Sequence, residues 1–308
     1  MGRAVVLFRR FAWGVLGYTL LVVLWGAYVR ASGSGAGCGS HWPLCNGEVI
    51  PRAQQVETLI EFTHRLTSGL SLLAVAALYV WAFRLFPRGS RVRRFAVLSV
   101  VFLLIEAALG AGLVLLRYVA QDASSGRAIY LSAHLVNTQI LLAMLALTAW
   151  FATAQPSRNW LSDPISLTAL AIALAVSVTG AIAALGDTLF PATSLAAGLR
   201  DELSGDSHAL LRLRLLHPAA AIAGAAFLLW MALRAIRSDI GPAAKTAARW
   251  TALLVFLQLI AGAANVALLA PIWLQLTHLL IADLLWLALV LLAVSALQPA
   301  DAKSAVTR

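Results

Sequence analysis

The chain has 308 residues, 61% of them hydrophobic and only 12% charged, with a mean hydropathy of +0.86. A soluble domain carries roughly a quarter charged residues, so this composition excludes one of any size and points to a membrane bundle. The formal net charge of +10 is no nucleic-acid signal, because most of the basic residues sit in short connections on alternate sides of apolar runs.

Those runs, each about 18 residues or more, can each cross a hydrocarbon core of roughly 30 Å as one helix. They predict eight spans, near 11–29, 58–83, 95–117, 129–152, 165–186, 209–235, 247–269 and 273–297, hence an all-α integral membrane fold. The first span is longer than a usual signal-peptide core and lacks a clean small-x-small cleavage site, so it is expected to be retained. It carries Gly26-Ala27 near its end, and the loop after it reads Cys38-Gly39-Ser40-His41-Trp42-Pro43-Leu44-Cys45-Asn46-Gly47. The second span holds Glu61-Phe62-Thr63-His64-Arg65. The third holds Glu106 and Gly110-Ala111, and the fourth Ala133-His134-Leu135-Val136-Asn137. The fifth carries Gly180-Ala181, the sixth Arg214 and His217, the seventh Gly262-Ala263, and the eighth His278 and Asp283.

The basic residues orient this series. Arg3, Arg9 and Arg10, then Arg84, Arg88, Arg91, Arg93 and Arg94, then Arg158, then Arg234, Arg237, Lys245 and Arg249, and last Lys303 and Arg308 fall on one side. Arg30, Arg52, Arg117, Arg127, Arg200, Arg212 and Arg214 fall on the other, and Arg65 lies within a span. Short loops rich in Lys and Arg stay cytoplasmic. Both termini are therefore expected inside, in a multi-pass protein of a bacterial-type plasma membrane.

The landmarks repeat. Gly26 to Gly180 is 154 residues, His64 to His217 is 153, Gly110 to Gly262 is 152 and His134 to His278 is 144. Four features in one order at nearly one offset predict two four-helix units, 1–155 and 156–308. Because four is even, the units enter the membrane from the same side, as a parallel repeat.

Each even-numbered span carries one histidine near its outer start, about six residues and so about 9 Å inside. Ionisable groups at that depth are rare, face the bundle interior and mark function. A lone histidine there would be an interhelical hydrogen bond. Four at one depth, two per unit, fit paired axial ligands of two hemes, His64 with His134 and His217 with His278. Copper or zinc would need a thiolate or further histidines to complete the shell, and none stands nearby in the sequence. No span has two histidines, so both hemes lie on the outer side rather than stacked across the membrane.

The units differ chemically. Glu61 stands three residues before His64 and so shares its helical face, where a carboxylate suits proton handling or stabilisation of positive charge. The alternative for Glu61 is an ion pair with Arg65 or Arg30. Arg214 holds the matching place before His217, where a guanidinium suits a heme propionate. Cys38 and Cys45 fall on the oxidising side and are expected to pair, as a structural staple or as a redox-active couple. His41 and His208 read as solvated loop histidines, and Glu106 and Asp283 receive no role.

Together the Glu61-to-Arg65 segment, the Trp42-Pro43-Leu44-Cys45-Asn46-Gly47 loop, the His134 segment and the single histidines 217 and 278 resemble the heme A synthase family of CtaA-type membrane enzymes. The resemblance spans about residues 11–297. The residues after Cys38 depart from the family's usual Pro-Asp. It implies oxidation of a ring methyl of heme O to a formyl group, through two hydroxylations and loss of water from a geminal diol. It also implies that His64 and His134 hold the substrate heme beside Glu61, and that His217 and His278 hold a resident heme b that exchanges electrons with it. Implied partners are a heme O synthase as supplier and terminal oxidase assembly factors as recipients, with the electron partner and oxygen source unassigned. The competing readings are a diheme b-type cytochrome linked to quinol, a heme transporter, and a heme-free solute transporter.

The topology makes a direct prediction. After reduction, Cys38 and Cys45 should react with an impermeant thiol reagent applied to the outer face of right-side-out vesicles. Labelling from the cytoplasmic face instead would overturn the assigned orientation.

Overall fold

The computed structural model describes residues 2–52, 55–154 and 163–296. Among the described residues, eight helices are long and apolar enough to cross a membrane: α1 (Arg3–Ala31), α2 (Val56–Leu85), α3 (Arg91–Leu115), α4 (Ser125–Phe151), α5 (Pro164–Leu189), α7 (Ala209–Arg237), α8 (Pro242–Ala267) and α9 (Ile272–Ser295). A nine-residue helix, α6 (Leu195–Leu203), lies between α5 and α7. The protein is therefore a multi-pass membrane protein with an all-α fold. The expected unit boundary at 155/156, Arg158, Lys303 and Arg308 fall outside the described residues.

Most helices run a few residues beyond the apolar runs that predict them, because the hydrogen-bond ladder continues until a cap ends it rather than where hydropathy falls. The Ser90, Ser124 and Asp163 side chains accept from the backbone N–H of Arg93, Arg127 and Ser166, supplying partners to helix-start donors that lipid cannot satisfy. Pro164 and Pro242 occupy first-turn positions, where the missing N–H costs nothing. The sequence did not foresee α6, which is too short to span and leaves Leu195, Leu199 and Leu203 exposed along one stripe.

Two rings of four helices result. In the first, α1 and α3 each pack on both α2 and α4. In the second, α5 and α8 each pack on both α7 and α9. The histidine-bearing helices thus stand diagonally opposite each other within each ring. The dry core concentrates at the end away from the histidines. There Phe8 packs edge-on against Trp81 and Phe86, over Leu78, Leu145 and Leu147. In the second ring the same end is built on Ala244, Ala247 and Ala248, small residues that let backbones approach closely in lipid, with Met231 filling the space beside them.

The rings join through α4 and α9, flanked by contacts of α1 with α9 and of α4 with α5. At that seam Gln139 Nε2 donates to Asp283 Oδ1 at 2.8 Å, and Trp286 Nε1 donates to the Gln139 carbonyl at 2.6 Å. Gln139 and Asp283 each lie five residues after the histidine of their own helix. Both are buried, and Asp283 Oδ2 and Gln139 Oε1 have no further partner. A second tie comes from Arg30 of α1, which donates to the Ala184 carbonyl, the Thr188 hydroxyl and Gln275 Oε1 on α5 and α9.

An interhelical hydrogen bond in a membrane averages only about 0.6 kcal/mol, whereas a buried polar group left alone costs about 1–3 kcal/mol. Gln139→Leu should therefore destabilise the protein by more than the bond is worth, because it strands Asp283. The double variant Gln139→Leu/Asp283→Leu should recover part of that loss. Unfolding midpoints in detergent check this, and a double variant weaker than the single would contradict it.

Candidate functional site

Because the helices alternate in direction, the N-terminal thirds of α2, α4, α7 and α9 share one end of the bundle. His64, His134, His217 and His278 all lie there, half-buried. They stand eight, nine, eight and six residues after the first residue of their helices. Three are thus deeper than the expected six residues: α2 and α4 start before their apolar runs, whereas α7 starts at Ala209 as its run does, so His217 lies eight residues in by either measure.

Each ring lies across a glycine on the preceding span. A Cβ at Gly26 would come 2.9 Å from His64 Cε1, one at Gly180 would come 3.0 Å from His217 Cε1, and one at Gly262 would come 3.2 Å from His278 Cε1. At Gly110 it would stand 3.7 Å from His134 Nε2. The Gly-Ala pairs at 26, 180 and 262 therefore have a specific function: the missing side chain is the space the imidazole fills, whereas Gly110 faces its histidine at ordinary contact distance.

Three of the rings also have a polar group beside them. His217 Nδ1 lies 3.0 Å from Thr179 Oγ1, whose hydroxyl donates to the Val176 carbonyl. With the hydroxyl proton on the Val176 carbonyl, the ring donates from Nδ1 and Nε2 is left as the free lone pair. His134 Nδ1 stands 3.1 Å from Glu106 Oε1, off the ideal hydrogen-bond direction. Gln258 Nε2 stands 3.2 Å from His278 Nε2. His64 Nδ1 and His278 Nδ1 are buried without a partner.

The His217 and His278 centroids are 6.4 Å apart with the planes at 85°. Two imidazoles bound on opposite sides of one metal at about 2 Å put their centroids roughly 6 Å apart. Among the described residues no group of three or more His, Cys, Asp or Glu could hold a bare metal ion. A pair of histidines can offer at most two ligands, and the spacing of His217 and His278 suits the two axial sites of a macrocycle that brings the remaining ligands with its metal. The residues fit such a group.

Glu61 is buried, and both its oxygens are engaged. Oε1 takes the Nε and Nη2 donors of Arg65, and Oε2 accepts from the Cys38 backbone N–H at 2.8 Å. Arg65 Nη1 also donates to the carbonyls of His41 and Leu44, at 2.7 and 2.6 Å. Cys38 and Cys45 form a disulfide. Glu61 thus has the ion pair with Arg65 that was the alternative to a chemical role, and together they fasten the disulfide loop to the helix that carries His64. Arg214 departs more sharply from expectation. Its Nε is paired with Glu202 and its Nη1 with Asp187 at 2.8 Å. The guanidinium expected to be free for a propionate already has two carboxylate partners, one on α5 and one on α6. Pro218 follows His217 inside α7, where the first unit has Arg65, so that face cannot fasten a loop in the same way.

Thr179 and Gln258 are site residues the sequence did not yield, and Glu106, which it named without a role, joins them at the site. Glu106 lies four residues before Gly110 and Gln258 four before Gly262. Each therefore shares a helical face with the glycine that meets the histidine, a spacing that was open to reading once the glycines had a function.

This arrangement defines a multi-pass membrane protein that presents two pairs of intramembrane histidines at one end of its bundle. The chain belongs to the COX15-CtaA family of cytochrome oxidase assembly proteins, whose pattern matches residues 9–290. It is similar to a Thermus thermophilus protein named protoheme IX farnesyltransferase, with 48% identity over 292 residues, covering 94% of this chain and 48% of that one. The chain thus spans about half the length of that relative. It is also similar to heme A synthases of an Exiguobacterium species, 43% identical over 96 residues, and of Bacillus cereus, 44% over 95 residues; each match covers 31% of this chain and, respectively, 32% and 30% of the relative.

The glycine contacts grade a prediction. Gly26→Ala and Gly180→Ala should push the facing imidazole away and lower heme retained per protein on purification, while Gly110→Ala, with ordinary contact distance, should retain it normally. Equal heme content in all three would mean the glycines do not set ring position.

Proposed function

We propose that the protein is a heme A synthase, a membrane oxidoreductase that converts heme O to heme A by oxidising one ring methyl to a formyl group. The observation that carries this reading is the His217–His278 spacing of 6.4 Å in a chain of this family. In it, His64 and His134 hold the substrate heme, and His217 and His278 hold heme b. Bound there, heme b supplies one-electron chemistry to the substrate site. The two rings are two copies of one unit, residues 1–155 and 156–308, with the histidine end outward and both termini cytoplasmic. The equivalent seam positions of Gln139 and Asp283 support that symmetry.

Glu61 is assigned to the chemistry in the first unit. Its bond to the Cys38 N–H and its pair with Arg65 hold the carboxylate at a fixed place one helical turn from His64. There it serves as a positioned acid or base, or as a fixed negative charge beside developing positive charge. Arg214 is a contact for a propionate if heme binding draws it from Asp187 or Glu202. The disulfide keeps the loop compact over this end, whether or not it also cycles.

Partners follow from the chemistry. Heme O is made by prenylation, and the Thermus relative named as a farnesyltransferase contains a region like this chain within a protein about twice the matched length. Supply of heme O by a prenyl-transferring partner is therefore proposed here too, with delivery of heme A to terminal oxidase assembly factors.

The test is extraction and mass identification of the hemes made in cells lacking any other synthase. Wild-type protein should yield heme A, and His217→Ala should lose the resident heme b. Glu61→Gln should bind both hemes but lower heme A output by about 10²- to 10⁴-fold, the usual worth of a positioned acid or base, with heme O or the hydroxylated intermediate accumulating. Two unaltered b hemes in the wild type would establish the cytochrome reading instead. Near-normal output from Glu61→Gln would leave Glu61 a fastener of the loop alone.

A further inference from the structure

The four histidines differ in what stands behind them. Among the described residues only His134 has a carboxylate there: Glu106 Oε1 lies 3.1 Å from its Nδ1, near enough for a small turn of the ring to make the hydrogen bond. That carboxylate is itself held in place. Asn137 Nδ2 donates to Glu106 Oε2 at 2.6 Å and also to the Phe102 carbonyl at 2.9 Å, while the Thr138 hydroxyl reaches Oε1. Asn137 and Thr138 follow His134 on α4 by three and four residues, so they stand on its helical face. One helix thus presents the imidazole and two of the groups that fix the carboxylate from α3 behind it. In the second ring the residue at the same distance before the glycine is Gln258, a neutral amide. The other oriented ring there, His217, has only the Thr179 hydroxyl.

A metal-bound imidazole that donates its other N–H to a carboxylate is a stronger base and a better-oriented ligand than one facing a neutral acceptor. Stronger donation favours the oxidised metal, because the extra electron density stabilises the higher charge. We propose that Glu106 is the positioning residue of the His134 ligand, and that through it the iron bound in the first unit is held at a lower reduction potential than the iron of the second. The two rings then differ in electron affinity by a built-in charge rather than by axial ligand type, which is histidine throughout. This rests on the proposed ligation by His134, and it assigns a function to Asn137 and Thr138 as supports of the carboxylate.

The experiment is a spectroelectrochemical titration of the purified full-length protein loaded with hemin, with heme retention measured in parallel. The lower-potential heme should be the one lost in His134→Ala. Glu106→Gln keeps the shape but removes the charge. It should raise that potential and weaken retention of that heme by about 10- to 100-fold, leaving the other heme's potential in place. Asn137→Leu, which keeps the carboxylate but frees Oε2, should move the same potential in the same direction by less, and it serves if Glu106→Gln does not fold. If His134→Ala removes a heme while neither variant shifts its potential, the proposal is wrong and the ligation stands. If His134→Ala keeps both hemes with unchanged spectra, the ligand assignment itself fails, and the role of Glu106 with it.

Discussion

Everything at the working end of this bundle depends on a contact between an imidazole and a glycine. A polar ring several residues inside an apolar helix must be kept off lipid and given a direction. Here the direction comes from the absence of a side chain on the neighbouring span, with Gly26, Gly110, Gly180 and Gly262 each turned to one histidine. Close approach at these points brings α1 to α2, α3 to α4, α5 to α7 and α8 to α9, and the two rings of four follow from those pairs. The apolar packing around Phe8 and Leu145, and around Ala248 and Met231, secures the opposite end, so the histidine end need not be filled by core side chains.

On this common frame the rings carry unlike chemistry. Where the first has Glu61 and Arg65 fastening a disulfide loop, the second has Arg214 paired with Asp187 and Glu202, followed by Pro218. Where the first has Glu106 behind a histidine, the second has Gln258 near one. The two four-helix rings present their histidines alike, and a few residues beside those histidines make one ring different from the other. Electrostatics rather than shape separates them.

The connection between the rings is polar as well as apolar. Hydrogen bonds between membrane helices are individually weak, so Gln139, Asp283 and Trp286 fix register more than they add stability. Lying five to eight residues beyond His134 and His278, they tie α4 to α9, the two helices that carry one histidine of each pair. A shift of one ring against the other would therefore be felt at both pairs.

The sequence alone determined the eight spans, the four histidines at one end and the residues that carry the family resemblance, because hydropathy and helical spacing are local properties. It also placed Glu61 on the face of His64, since three residues fix that relation within a single helix. It did not determine which partner each side chain takes. Which loop groups Glu61 and Arg65 hold, which carboxylates take Arg214, and that Glu106 stands behind His134 across 28 residues of chain depend on how the loop and α2, α3, α4, α5, α6 and α7 lie against one another. Helix periodicity names a face, but only packing brings another helix to it. The tertiary structure therefore decided the ion pairs, the orientation of the rings and the asymmetry between the units.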